Sequence, residues 1–300
     1  MAVYNEERFL AEAIESVLAQ SFSDFEIIVS DDGSTDATPT IARSFAGRDA
    51  ERIRVLRAEQ NQGKPFALNR ALAIRQGEFI AWLDGDDVML ADKLERQVAA
   101  LDANQDAAGC SHDAEVFDSQ SGRVIGRFSQ VANGMPLRSG GIEMWFDPTY
   151  KMLPSATMIR SSLCPLDGFD ERLKFTNDWL FDIEVFHRGC CIALDDVLVR
   201  YRRHADNFTT RAEQSGASYE EGLMAMAIVT ERHPQLQRRA RTMSTAIMLG
   251  QARRRVRGRE WHRAASYGAT ACRTGGISGI LGVTAAMMRS AWRRKRLRNR

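Results

Sequence analysis

Apolar runs of β type alternate with apolar positions at helical spacing through the first third of this chain. Residues 1–4 read as the end of a strand. Phe9, Ala13, Ile14, Val17 and Leu18 then recur every three or four residues, which predicts a helix, with Asn5 as its N-cap. Strands are predicted at 25–30, 53–57 and 78–83, where β-branched and aromatic residues run together. Helices are predicted from Thr35 or Asp36 to Phe45, over 63–75 (apolar Phe66, Ala67, Leu68, Ala71 and Leu72) and over 93–104. Strands and helices that alternate over short connections imply an α/β domain, its mainly parallel sheet flanked by helices.

The pattern changes near residue 105. Strands are predicted at 109–118 and 123–128, around Ser121-Gly122, and at 153–160. One or two short strands follow within 192–201, and a helix spans 178–188. Residues 129–152, with Gly134, Gly140, Gly141 and Pro148, have the composition of a loop, either a plain connection or a lid over a ligand. From about 215 onward only helices are predicted, broken near Pro234, Gly258 and Gly275-Gly276. The expected organisation is a catalytic α/β domain over 1–210 and a C-terminal all-helical extension over 211–300.

Composition alters this picture only at the tail. The apolar fraction of 44% and charged fraction of 27% are ordinary for a globular protein. The charge is uneven: 14 of the 41 basic residues but only one of the 39 acidic residues, Glu260, fall in 251–300. Such a tail calls for an anionic partner. Arg253-Arg254-Arg255 and 292–296 flank a softer stretch at 277–288, a pattern that suits peripheral contact with an anionic membrane. A solvated arginine-rich tail accounts for the same residues. Nucleic acid is not expected, because no recognition motif accompanies the charge. The cysteines (Cys110, Cys164, Cys190, Cys191, Cys272) are odd in number and lack metal-type spacing. They read as free thiols, which implies a cytoplasmic setting, peripheral at the inner membrane face if the tail docks. No secretory leader is expected, since Glu6, Glu7 and Arg8 come so early. No run reaches the ~18 apolar residues of a spanning helix.

The chemistry is concentrated in two acidic clusters. One predicted strand ends in Asp31-Asp32-Gly33-Ser34-Thr35-Asp36, and another in Asp84-Gly85-Asp86-Asp87. Carboxylates at the carboxyl ends of neighbouring parallel strands face one crevice, where α/β sheets bind ligands. Crowded like charges need a cation among them, and a divalent ion with its phosphate ligand is the natural one. Each cluster has a plainer explanation. Asp-Asp-Gly-Ser suits a helix-entry turn. Asp84-Gly85-Asp86-Asp87 suits a solvated turn, with Asp87 capping the next helix. Lys64, behind Gln62-Gly63, opens a predicted helix and suits an anion or a base edge.

The ordered set AVYNEERFL, DDGSTDAT, NQGKPFALNRAL, FIAWLDGDD, GFDERL with KFTNDWLFDIEVFHRG, and VRYRRH resembles the family 2 inverting glycosyltransferases of GT-A fold. The resemblance covers residues 1 to about 210. It implies a GT-A type, Rossmann-like fold and transfer of a sugar from a nucleotide sugar, UDP-linked, to a hydroxyl acceptor. A glycan or lipid-linked acceptor fits, as in cell-surface polysaccharide or glycolipid synthesis. By the same resemblance Asp31 or Asp32 takes the nucleobase, Asp32 being the choice here. Tyr4 and Glu6 line the base and ribose site. Asp86 ligates Mg²⁺ or Mn²⁺, and Asp84 reaches the ribose or the metal. Asp178 acts as general base, and His204 meets the metal or a phosphate, with Arg202 or Arg203 offsetting phosphate charge.

Two departures stand out. The family has more apolar residues before its Tyr-Asn-Glu segment, so either the start lies upstream or the first strand is stunted. Asn177 occupies the place of the first acid of a pair, leaving Asp178 alone, and Asp178 also suits the N-terminus of its helix. Trp145, Phe146 and Trp179 are either sugar-stacking or core residues. Two other classes stay open: a nucleotidyltransferase of similar fold, which lacks its usual glycine-rich basic loop here, and a catalytically silent nucleotide-binding protein.

Overall fold

The computed structural model describes residues 1–205, 207 and 217–298, with backbone alone at 277–278, 290 and 294–298. The expected boundary at 210–211 lies outside the described residues. The chain forms two compact units: Met1–Ser129, Leu137–Gly141 and Met152–Ala205 make the first, and Gln130–Pro136, Ile142–Lys151 and the chain from Asp206 onward the second.

The first unit runs β1 (Ala2–Val3), α1 (Leu10–Leu18), β2 (Ile27–Asp31), α2 (Thr38–Arg48), β3 (Ile53–Arg57), α3 (Lys64–Ile74), β4 (Phe79–Ala81), β5 (Val88–Met89), α4 (Lys93–Asp102), β6 (Ala107–Asp118), β7 (Val124–Arg127), β8 (Thr157–Arg160), α5 (Asn177–Phe186) and β9 (Cys190–Arg203). Strands β1, β2 and β3 form a parallel sheet in that order, with Val3 opposite Asp31 and Asp31 opposite Arg57. The second sheet has the order β4-β8-β6-β9-β5, with β7 on β6. It is mixed: β6 and β9 are parallel, while β4–β8, β6–β8 and β5–β9 are antiparallel. The fold is the expected α/β type, but β4 bonds to β8 and not to the parallel set. Where one or two short strands were expected at 192–201, a single strand β9 runs beside β6 and is held by it almost throughout.

The periodicity of the first third explains the core. Leu10, Ala13, Ile14 and Val17 of α1 pack with Ile27, Val29 and Ile53 of the sheet, and with Leu83, Leu94 and Leu101. Each of the leucine, isoleucine and valine side chains contributes ~1.5–3 kcal/mol by leaving water. Helix starts differ from the sequence expectation where loops compete for the capping groups. Asn5 does not cap α1, which begins after Phe9 without a side-chain cap. Helix α2 begins at Thr38, its amide bonded to Asp36 Oδ1 at 2.9 Å.

The second unit holds α6 (Ala217–Arg232), α7 (Gln237–Arg257) and α8 (Trp261–Arg298), the last broken at Gly276. The expected breaks near Pro234, Gly258 and Gly276 are all present. Met226, Ile228 and Val229 are buried, whereas Met224 is exposed. Asn133 and Lys151 exchange two bonds, Nδ2 to the Lys151 carbonyl and the Lys151 amide to Oδ1, which close the segment between them. Trp145 and Phe146 are buried within that segment and serve as core.

Candidate active site

The acidic turn after β2 is built by its own carboxylates. Asp31 Oδ1 accepts the Ser34 amide at 3.0 Å, and its Oδ2 lies 3.4 Å from Arg57 Nε on β3. Asp32 accepts the amides of Gln62 (3.0 Å) and Gly63 (2.7 Å), so it fixes the loop that opens α3. Burial raises the Asp32 carboxyl above its ordinary value, against the pull of these two amide bonds. Gly33 has φ +75, and a Cβ there would meet the Gln60 backbone at 2.6 Å, so no other residue fits without moving that loop. Asn5, itself at φ 56, accepts the Thr35 amide while its own amide donates to Ser34 Oγ. The two loops carrying the first motifs are thereby joined. Tyr4 stands exposed on this rim.

The second acidic turn shows a division of labour. Asp87 is fully buried and accepts Ser155 Oγ at 2.6 Å and the Arg202 amide at 3.0 Å. It therefore does not cap the next helix, as the sequence had suggested. That helix, α4, starts at Lys93. Burial pushes Asp87 well above the carboxylate range, helped by Asp86 and Asp84. Asp86 Oδ2 lies 2.9 Å from His204 Nε2, and the His204 ring packs 5.0 Å from Phe9. The side chain of Arg202 is committed elsewhere: Nε donates to the Asp86 carbonyl at 2.7 Å, and NH2 to Glu12 at 2.5 Å. A Cβ on Gly85 would meet Val3 Cγ1 at 2.9 Å and Glu6 Cγ at 3.2 Å, so this glycine lets the turn close on the 4–6 segment. Burial, followed by Asp86, Asp84 and Asp36, lifts Glu6 to about 8.

Lys64 and Asp178 complete the cluster. Lys64, the first residue of α3, places Nζ 2.6 Å from Asp84 Oδ1. Burial alone would lower its pKa, but Asp84, and then Asp178 and Asp86, carry it above the ordinary value. Asp178 sits in the first turn of α5, where Oδ1 accepts the Trp179 amide at 2.8 Å. Burial raises its pKa, opposed by Lys64 and by that amide, with Asp84 adding to the rise. Asn177 is buried, its Nδ2 bonded to the Lys174 carbonyl.

Oxygen atoms of Asp84, Asp86 and Asp87 come within 4.8 Å of one another. Asp84 and Asp86 supply the hard oxygen donors that Mg²⁺ and Mn²⁺ take, with Asp87 buried behind them, so the residues fit a divalent ion. The sequence singled out the acids, Lys64 and His204. It missed Ser155 and Glu12, which bond across 68 and 190 residues and leave no local signal.

The sequence profile of glycosyl transferase family 2 matches residues 1–164. EpsE of Bacillus subtilis, itself named only provisionally as a glycosyltransferase, is 32% identical over 218 residues, which span 71% of this chain and 74% of EpsE. An uncharacterized glycosyltransferase of Nostoc is 38% identical over 210 residues, 68% of this chain and 63% of its own. The chain belongs to glycosyl transferase family 2 and is a glycosyltransferase. Among solved structures, Staphylococcus aureus TarS 1-349 in complex with UDP-GlcNAc superimposes with a TM-score of 0.63 at 21% identity, over 83% of this chain and 70% of that one. The mannosyltransferase PcManGT of Pyrobaculum calidifontis, in complex with GDP-Man and Mn²⁺, gives 0.60 at 18% identity, over 98% and 80%. At these identities the likeness establishes the GT-A fold.

Proposed function

We propose that this glycosyltransferase moves a sugar from a nucleotide sugar, UDP-linked, to a hydroxyl acceptor with inversion. A glycan or lipid-linked acceptor of cell-surface polysaccharide or glycolipid synthesis fits the reading. The observation that carries it is the convergence of Lys64, Asp84, Asp86 and Asp178, each perturbing another electrostatically, where β4, α3 and α5 begin or end. Asp178 is the general base. Its raised pKa makes it a better proton acceptor than an exposed carboxylate, and it takes the proton as the acceptor oxygen attacks. With the base on the face opposite the leaving nucleotide, displacement inverts the anomeric carbon.

Lys64 offsets charge on the departing diphosphate, released from Asp84 as the phosphates arrive. Asp86 and Asp84, with His204 orienting Asp86, would hold Mg²⁺ or Mn²⁺. Such an ion supplies Lewis-acid neutralisation of the diphosphate. Tyr4, Glu6 and the Asp31-Asp32 turn border the nucleoside, and Asp32 shapes that pocket through the amides it holds. The relatives in complex with UDP-GlcNAc, and with GDP-Man and Mn²⁺, support a nucleotide-sugar donor and a metal.

The test is thermal stabilisation of the full chain by UDP, GDP, CDP or TDP, each with Mn²⁺, Mg²⁺ or excess EDTA. Metal-dependent stabilisation by UDP, abolished in Asp86→Ala, is expected. Stabilisation by none of the four sinks the donor reading, and preference for another nucleotide corrects its UDP part.

A further inference from the structure

Helix α8 carries three large apolar side chains on one face, each more than half exposed. Beyond its break at Gly276, Leu281 (65% exposed), Met288 (59%) and Trp292 (62%) stand in solvent, while Val283 is buried. Offsets of seven and eleven residues are about two and three turns of helix, so the three share one face. Exposed Arg289 borders the strip, and Trp261 at the other end of α8 is 62% exposed as well. Large apolar side chains in solvent, gathered on one face of a helix, mark an interaction surface. No helix of the described residues is long and apolar enough to cross a membrane.

We infer that this face of α8 docks the protein on an anionic lipid surface. Charge selects the occupant: the strip lies in the segment with 14 basic residues against Glu260 alone. A cationic helix presenting leucine, methionine and tryptophan has what interfacial binding requires. Its apolar side chains enter the headgroup boundary, Trp292 favours that depth, and Arg289 beside them meets the anionic headgroups. Nucleic acid would satisfy the arginines but give the aliphatic side chains nothing to bury against. The inference stands apart from the donor-site reading, since none of these residues belongs to that site.

The experiment is flotation of the full chain with vesicles of phosphatidylcholine alone or mixed equally with phosphatidylglycerol. Expected is binding to the mixed vesicles only, weakened by salt and reduced about tenfold or more when Leu281, Met288 and Trp292 are all replaced by serine. Nucleotide stabilisation of the same variant reports separately on its fold and donor site. Brominated acyl chains in the mixed vesicles should quench tryptophan emission of the unaltered protein, a readout that needs no variant. Equal flotation of the serine variant, absence of quenching, or a strip that instead supports self-association or duplex DNA binding overturns the inference.

Discussion

Lys64 Nζ lies 2.6 Å from Asp84 Oδ1, and this ion pair joins the N-terminus of α3 to the acidic turn after β4. Both side chains keep about a third of their surface in water, 28% and 33%. The pair therefore adds little to stability, within ~1 kcal/mol. On the function proposed above, its value lies in holding a cation ready beside the carboxylates. Lys64→Met should leave the melting temperature within a few degrees of wild type while weakening nucleotide affinity by about tenfold to a hundredfold, the worth of one charged hydrogen bond. Calorimetric titration with the nucleotide and metal checks this. Unchanged affinity would remove Lys64 from the site.

Asp178 faces both a positive and a negative neighbour, Lys64 and Asp84. If it takes the acceptor proton, Asp178→Asn should lower kcat by about 10²–10⁴ while leaving nucleotide binding intact. Because burial holds its pKa above the ordinary 3.8, the acid limb of the wild-type rate profile should also lie higher than a solvated aspartate would give. A variant that loses donor binding and turnover together would make Asp178 a structural residue of α5.

Asp32 acts through the backbone. Asparagine would put an amide N–H against one of the two amides that the carboxylate now accepts, from Gln62 and Gly63. A loss of ~1–3 kcal/mol is expected. Gly33→Ala forces a left-handed residue, at ~1–2 kcal/mol, and a clash with the Gln60 backbone on top. Both variants should melt earlier and lose most nucleotide stabilisation, because Lys64 stands on the displaced loop. Urea unfolding at fixed pH measures the first effect. A midpoint equal to wild type in either variant would refute this role.

The strand–helix alternation and the residues at its strand ends were legible because they are local. Leu10, Ala13, Ile14 and Val17 announce a helix by spacing alone, and Asp84-Gly85-Asp86-Asp87 ends an apolar run within a few residues. What was not legible depends on distant chain. Asn5 looks like an N-cap until Ser34 and Thr35 are seen to claim it. Asp87 looks like a cap until Ser155 and Arg202 take both its oxygens. Arg202 looks like a surface arginine, yet it is buried between Phe9 and Phe117, 4.7 Å from each ring. The pairing of β4 with β8 and not with the parallel strands is likewise a choice of partner that no local pattern encodes.

Lys93 offers a test away from the site. It opens α4 fully buried, and its Nζ has no hydrogen-bond partner among the described residues. Burial lowers its pKa from 10.5 to about 7, only partly opposed by Cys110. Between these values the unfolded chain holds a proton that the folded chain has released, so stability should rise with pH from about 7 upward. The limiting slope for one group is ~1.4 kcal/mol per pH unit. Above pH 9 the Cys110 thiol, pushed by burial to about 12, works in the opposite sense. His112, pushed by burial and then by Lys93 to about 3, titrates below the window. Urea unfolding between pH 7 and 9 should therefore show wild type gaining on Lys93→Met as pH rises. The methionine variant should be the more stable by ~1–3 kcal/mol at pH 7, since it buries no unpaired donor. A constant difference across that window, or a methionine variant less stable at pH 7, would mean that Lys93 is not held neutral in the core.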